Sequence, residues 1–305
     1  MPDRRLAAGA LGLTLLAACG GTQPAPAPEP PQAVDPDLVS GWRLARAAFE
    51  RGQYEQAAAL YERVLAEAYV RDDLKAIGDI GYELAVVQLR QGHHEAAAAQ
   101  ARGTREELIR RDRKPFAELY LVEAVALYGG GDGEAALASA NAAIDLRPDD
   151  PRVTGRAEFV RGAVAADNGD VADLEAAIRR LEVIEGDALR ADRLELLGRL
   201  RLLEREPATA LASFKESAGL RQEIADYVGM ARALAFAAEA AEAVGREQEA
   251  ADLFFRAGRS AAAEGREPEA RRWLQAASRL ARGAGMPEIR ADAKAILERI
   301  APPQD

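Results

Sequence analysis

Residues 133–151 read Gly-Glu-Ala-Ala-Leu-Ala-Ser-Ala-Asn-Ala-Ala-Ile-Asp-Leu-Arg-Pro-Asp-Asp-Pro. Small and large apolar residues recur there at spacings of three and four, the period of a helix and not of a strand. The stretch ends in a Pro/Asp cluster that stops one helix and starts the next. Residues 51–61, Arg-Gly-Gln-Tyr-Glu-Gln-Ala-Ala-Ala-Leu-Tyr, have the same layout. Outward from these two segments, everything from Leu38 onward reads as helix, about fourteen in all, joined by short turns. Gly at 52, 92, 169, 245 and 265 marks helix ends, where a left-handed residue costs glycine little. Pro at 115, 207 and 268 marks helix starts.

The helices fall into pairs with a shared register. Anchored on inter-helix turns at Gly52, Gly92, Gly131, Gly169, Arg205, Gly245 and Gly265, the position seven residues earlier is Ala45, Ala85, Ala124, Gly162, Gly198, Ala238 or Gly258. Five residues after the turn stand Ala57, Ala97, Ala136, Leu174, Ala210, Ala250 and Ala270. Nine after stand Tyr61, Ala101, Ala140, Ile178, Phe214, Phe254 and Leu274, mostly large. Two helices approach to about 8 Å only where a small residue lies at the crossing, so each helix of a pair supplies one. A pair cannot bury both its faces alone, so pairs stack into a solenoid. The final spacing, Gly245 to Gly265, is half of the others, so the helix after Gly245 belongs to two overlapping frames. Residues 286–300 read as a terminal capping helix.

This layout resembles the tetratricopeptide repeat over roughly residues 38–280, with Pro148 at the family's closing proline. The turns lie 36 to 40 residues apart, longer than the family's usual 34, as in variant repeats of regulatory scaffolds. The resemblance implies an all-α, right-handed superhelical solenoid of about six to seven antiparallel helix pairs, occupying residues 38–300. Residues 301–305 are expected to be a disordered tail.

The start of the chain carries a separate message. Met1-Pro-Asp-Arg-Arg is a basic head, residues 6–18 are uncharged and apolar, and Leu16-Ala17-Ala18-Cys19-Gly20 follows. Thirteen residues are too few to span a bilayer core, which takes about 20. A basic start, a short apolar run and small residues before a cut site describe a signal peptide, residues 1–18. The small residues before the chain's single cysteine resemble the lipobox of bacterial lipoproteins, which implies lipidation of Cys19. Residues 19–37 follow as a Pro-rich, disordered tether whose extended reach is about 3.1 Å per residue. Gly20 after the cysteine resembles outer-membrane sorting. The expected location is therefore the cell envelope, on the periplasmic face of the outer membrane, with the membrane contacted through the lipid on Cys19.

Little of the sequence carries reaction chemistry. The formal net charge of −10 gives no electrostatic reason to bind nucleic acid. A single cysteine excludes an internal disulfide. His93 and His94 are neighbours about 100° apart on a helix and cannot share a metal as an i, i+4 pair does; they read as a solvated turn. Gly129-Gly130-Gly131-Asp132-Gly133 lacks the Lys-Ser/Thr of a phosphate loop and reads as a turn. Asp72-Asp73 and Asp149-Asp150 read as helix caps. The basic run Arg110-Arg111-Asp112-Arg113-Lys114 reads as a solvated helix end, with docking of an anionic partner as the alternative. No catalytic residues, cofactor or metal site are assigned, and the chain is not expected to be an enzyme.

In tetratricopeptide proteins the first helix of each pair lines a concave surface. The resemblance therefore implies partner contacts three residues before and one after the small residue: Trp42, Tyr82, Leu121 and Phe159, with Arg46 and Arg199. Aromatic rings edged by Arg are what binding hot spots use. The alternative is that the longer helices bury these rings in the core. The carboxylate-binding residues of chaperone-type repeats are not matched. The expected function is a lipid-anchored envelope scaffold that binds a protein or peptide in its groove. A cytoplasmic repeat regulator with a mis-assigned start and a periplasmic enzyme are the other readings.

Overall fold

The computed structural model describes residues 36–300, which form fourteen α-helices. They run as seven antiparallel pairs: α1 (Pro36–Glu50) with α2 (Tyr54–Val70), α3 (Leu74–Gln91) with α4 (His94–Arg110), α5 (Ala117–Gly129) with α6 (Gly133–Leu146), α7 (Pro151–Asn168) with α8 (Val171–Glu182), α9 (Asp187–Leu203) with α10 (Pro207–Glu223), α11 (Tyr227–Ala243) with α12 (Glu247–Ala263), and α13 (Glu267–Gly283) with α14 (Pro287–Arg299). The fold is a tetratricopeptide-like helical solenoid. The expected signal peptide, Cys19 and the tail at 301–305 lie outside the described residues. The body starts two residues before the expected boundary at 38, because Pro36 suits a first helical turn and Asp37 opposes the helix dipole there.

The connections share one device. Except at the α6–α7 connection, a left-handed residue recurs about every 20 positions, from Gly52 and Asp72 through Arg205, Ala225, Gly245 and Gly265 to Gly285. At the first of these, the Gly52 amide donates to the Phe49 carbonyl at 2.9 Å and the Gln53 amide to Ala48 at 3.0 Å, satisfying carbonyls that the helix end leaves free. Aspartates start many of the next helices: the amides of Ala76, Ala135 and Arg152 each donate at 3.0 Å to the carboxylates of Asp73, Asp132 and Asp150. Asp72 was expected to cap as well, but it takes the left-handed position, with φ 56°, and pairs with Arg111. Pro115 lies outside α5, whose first residue is Ala117.

The overlapping frames near residue 245 resolve into one. Gly265 does not divide a pair; it joins α12 to α13, and the seventh pair turns at Gly285, 40 residues after Gly245. The sequence signal at Gly265 reflects a real close crossing: Ala270 is 0 % exposed, and a Cβ on Gly258 would stand 2.6 Å from Leu274. That crossing lies between pairs, where the sequence alone could not tell it from one within a pair. At Gly285 the register ends, and of α14 only Ala293 and Ile296 are buried, as expected of a terminal cap.

Every crossing residue expected from the register is buried. The seven residues after the turns, Ala57, Ala97, Ala136, Leu174, Ala210, Ala250 and Ala270, are all 0 % exposed. At the three glycines before the turns even the smallest side chain would force a neighbour to shift. A Cβ would stand 2.5 Å from Leu196 at Gly162, 2.5 Å from Phe214 at Gly198 and 2.6 Å from Leu274 at Gly258. Large residues fill the space that the missing Cβ leaves.

Odd-numbered helices form the inner layer: α3 packs on α5, α5 on α7 and α7 on α9, while no comparable even–even packing occurs before α12 and α14 among the described residues. The superhelix also returns upon itself. Nη1 of Arg266, at the start of α13, donates to the Leu89 carbonyl at the end of α3 over 3.3 Å.

The same substitution should therefore have opposite signs at different glycines. Gly198→Ala should lower stability by about 1–2 kcal/mol, overpacking against Phe214 outweighing the gain in helix propensity. Gly103→Ala and Gly219→Ala, with nothing within 4 Å of the added carbon, should raise it by about 0.5–1 kcal/mol. Urea midpoints of the three variants check this.

Candidate partner-binding face

The residues expected to face a partner occupy the inner helices at one register. Trp42 on α1, Tyr82 on α3, Leu121 on α5 and Phe159 on α7 are each half-buried, so the two open readings each hold in part: one side of each ring or chain packs into the core and the other remains open. Trp42 leans on the first core cluster and donates through Nε1 to Glu83. The Arg46 guanidinium lies 5.0 Å from the Trp42 ring centre, and its Nε donates to the same Glu83 carboxylate at 2.8 Å. Tyr82 meets Phe116 edge-on at 5.8 Å, and burial raises its phenol above the ordinary tyrosine value. Leu121 packs against the cluster containing Ala124 and Val160.

Arg199 departs from expectation. It is only 8 % exposed; it donates to the Tyr128 hydroxyl at 3.0 Å, pairs with Asp167, and lies 5.5 Å from the Phe236 ring. A guanidinium enclosed by a ring, a hydroxyl and a carboxylate holds the inner wall together and leaves little to offer a ligand. The cation that does reach the concave side is Arg232 on α11, which was not foreseen. Its guanidinium stands 5.4 Å from the Phe159 ring, and its Nε and Nη2 donate to Glu195 at 2.9 and 3.0 Å. Arg232 lies three residues before Ala235 on the same helix face, so the spacing could have found it, one turn before the positions read from the family.

Behind Arg232 lies a buried ionic cluster. Arg221 on α10 donates to Asp192 at 2.7 Å, to Glu195 at 2.9 Å and to Asp226 at 2.7 Å. Arg156 on α7 donates to Asp192 at 2.8 Å, and the Ser217 hydroxyl beside Arg221 donates to the Ala191 carbonyl at 2.8 Å. Burial acts upward on both acids. For Asp192 it prevails, raising the carboxyl above the ordinary range. For Glu195, Arg232 and Arg221 outweigh it and hold the carboxyl below that range. The cluster ties α7, α9, α10 and α11 into one register under the open face.

The other sequence features resolve as follows. The triple-glycine segment is the α5–α6 turn, capped by Asp132. Arg110 and Arg111 of the basic run pair with Glu107 on the same helix. His94 is not solvated as expected: it is half-buried, with its ring against the Gly129 backbone of α5 and Arg266 of the returning segment acting on it. Among the described residues, no group of three His, Cys, Asp or Glu is placed to hold a metal, and no helix is long and apolar enough to cross a membrane.

No protein-family model and no curated protein matches the chain. Solved structures do resemble it. NprR in complex with its cognate peptide NprX is 15 % identical, with a TM-score of 0.65, over 90 % of this chain and 80 % of that one. A Rap protein complexed with Competence and Sporulation Factor is 13 % identical, TM-score 0.51, over 87 % of this chain and 98 % of that one. The signal-transduction ATPase with a tetratricopeptide-repeat sensor from Pyrococcus horikoshii is 16 % identical, TM-score 0.52, over 87 % of this chain and 42 % of that one. At these identities the likeness establishes the architecture: a tetratricopeptide-like solenoid.

Replacing Arg221 by Met should cost about 3–5 kcal/mol, because Asp192 and Glu195 would stay buried without their shared cation. Without that cation both carboxyls would bind a proton more readily in the folded state. The deficit should therefore shrink as pH falls toward the carboxylate range. Urea unfolding near pH 8 and near pH 5.5 measures the difference.

Proposed function

We propose that the protein is a lipid-anchored scaffold of the cell envelope that holds a protein or peptide partner against its concave face. The observation that carries this reading is the row of half-buried side chains on successive inner helices. Trp42, Tyr82, Leu121 and Phe159 stand at equivalent positions, flanked by Arg46 and Arg232 stacked on two of the rings. Such rings are already partly ordered by core contacts, so a partner covers apolar area without ordering long side chains. The likeness to NprR and a Rap protein, whose structures hold the cognate peptide NprX and Competence and Sporulation Factor, supports a binding role for a solenoid of this kind. The anchor rests on the lipobox-like Leu16-Ala17-Ala18-Cys19 and on the Pro-rich segment that follows.

Two experiments test the two halves separately. A photocrosslinker at position 42 or 82 should capture one species in living cells, and one at the outward Arg63 should not. Leu121→Ala and Phe159→Ala should cut the yield at position 82 at least several-fold. Equal capture from all three positions, or none, argues against the concave face. Cys19→Ser should abolish lipid labelling and membrane retention. A lipid-labelled Cys19→Ser chain, or a soluble cytoplasmic pool of the wild type, would refute the anchor and favour a cytoplasmic regulator.

A further inference from the structure

The return of the superhelix upon itself is made by one side chain. Arg266 caps the start of α13, and the residue it reaches, Leu89, lies 177 positions earlier. Its guanidinium rests on the α3–α4 turn, where a Cβ at Gly92 would stand 3.3 Å from the guanidinium carbon. Glu269, one turn on, orients it through Nε at 3.1 Å. Beneath it lies His94, whose ring is pressed so closely on the backbone of Gly129 that any side chain there would overlap it. The buried Nδ1 of His94 has no hydrogen-bond partner. Glu264 on the same returning turn adds to burial in raising the Tyr54 phenol. One short turn thus rests on the second pair and acts electrostatically on the first, while His94 beneath it packs on the third.

We propose that this contact is a clasp that fixes the rise of the superhelix, and that His94 releases it on taking up a proton. The charged groups acting on His94 are Arg266 and Glu269 from the returning segment and His93 beside it; α5 presents only the Gly129 backbone. Burial, and then Arg266, hold the imidazole below its ordinary value, against the weaker opposing pull of Glu269. In the open form Arg266 withdraws and water reaches the ring from that side, so its value rises toward the ordinary one of about 6.5. The open form therefore binds the proton more tightly. Closure is strongest above about pH 6.5 and weakens as the pH falls through that value. Released, the pairs are joined only through contacts with the next pair or the one after it, such as Arg199 to Tyr128 and Arg232 on Phe159, so the spacing between the ends, and with it the width of the concave face, becomes free to grow. The clasp does not depend on the identity of the partner or on the lipid anchor.

The test uses the full chain carrying Cys19→Ser, with spin labels at Glu95→Cys and Glu267→Cys, and reads their separation by pulsed electron resonance. At about pH 7.5 a single short distance is expected, and at about pH 5 a second, longer population at least several-fold larger than at the higher pH. His94→Gln should keep the short distance at both. Arg266→Ala should show the long one at both, with its helical circular dichroism intact. Acid opening that persists in His94→Gln would overturn the role of His94. An unchanged distance in the wild type at the two pH values, or in a folded Arg266→Ala chain, would overturn the clasp. The wild-type and His94→Gln arms decide the outcome even where Arg266→Ala loses helicity.

Discussion

Close approach of neighbouring helices is the constraint on which the rest depends. Where α9 crosses α10, Gly198 has no Cβ and Phe214 occupies the space. The same exchange occurs between Gly162 and Leu196 and between Gly258 and Leu274. Each crossing fixes the distance between two rods, and a chain of such crossings fixes the curvature of the stack. The inner helices pack on one another as well as on their partners, and their remaining surface becomes the concave wall. The half-exposed rings of Trp42, Tyr82 and Phe159 follow from that geometry: the crossing residue is buried, and the residue one turn before it stands at the rim of the core.

A core this rich in alanine has little shape of its own, and alanine rods can slide. The buried ionic clusters oppose sliding. Arg221 engages three carboxylates from two other elements, and Glu123 is held by Arg102 and Arg105 across the α4–α5 contact. Such pairs add little net stability, since each charge must lose its water. Their consequence here is register: a slip of one residue would leave a buried charge alone, whereas apolar surface alone penalises that slip weakly.

Most of the fold was legible because helix packing writes itself locally. The small residue, the alanine and the large residue around each turn reported three contacts within about sixteen positions, and each proved buried. What the sequence did not show is what depends on distant segments. The close crossing at Gly265 was visible, but not whether it lay within or between pairs. Arg199 was read as an open contact because nothing nearby in the chain announces Tyr128, Asp167 or Phe236. His94 was read as solvated because its cover comes from other elements, the Gly129 backbone of α5 and Arg266 from the far end of the chain. Arg232 was within reach of the pattern, since it lies on the inward face of its helix.

The hydrogen bond from Arg266 to Leu89 also bears on how such a chain can change over time. A solenoid whose contacts are all between neighbours tolerates gain or loss of a unit anywhere along its length, because every junction is alike. A bond between the second pair and the seventh removes that freedom. One unit more or fewer between them would carry the arginine past its carbonyl. The four pairs between them are thus set in number by closure, and duplications are admissible only beyond the two ends of the loop it makes.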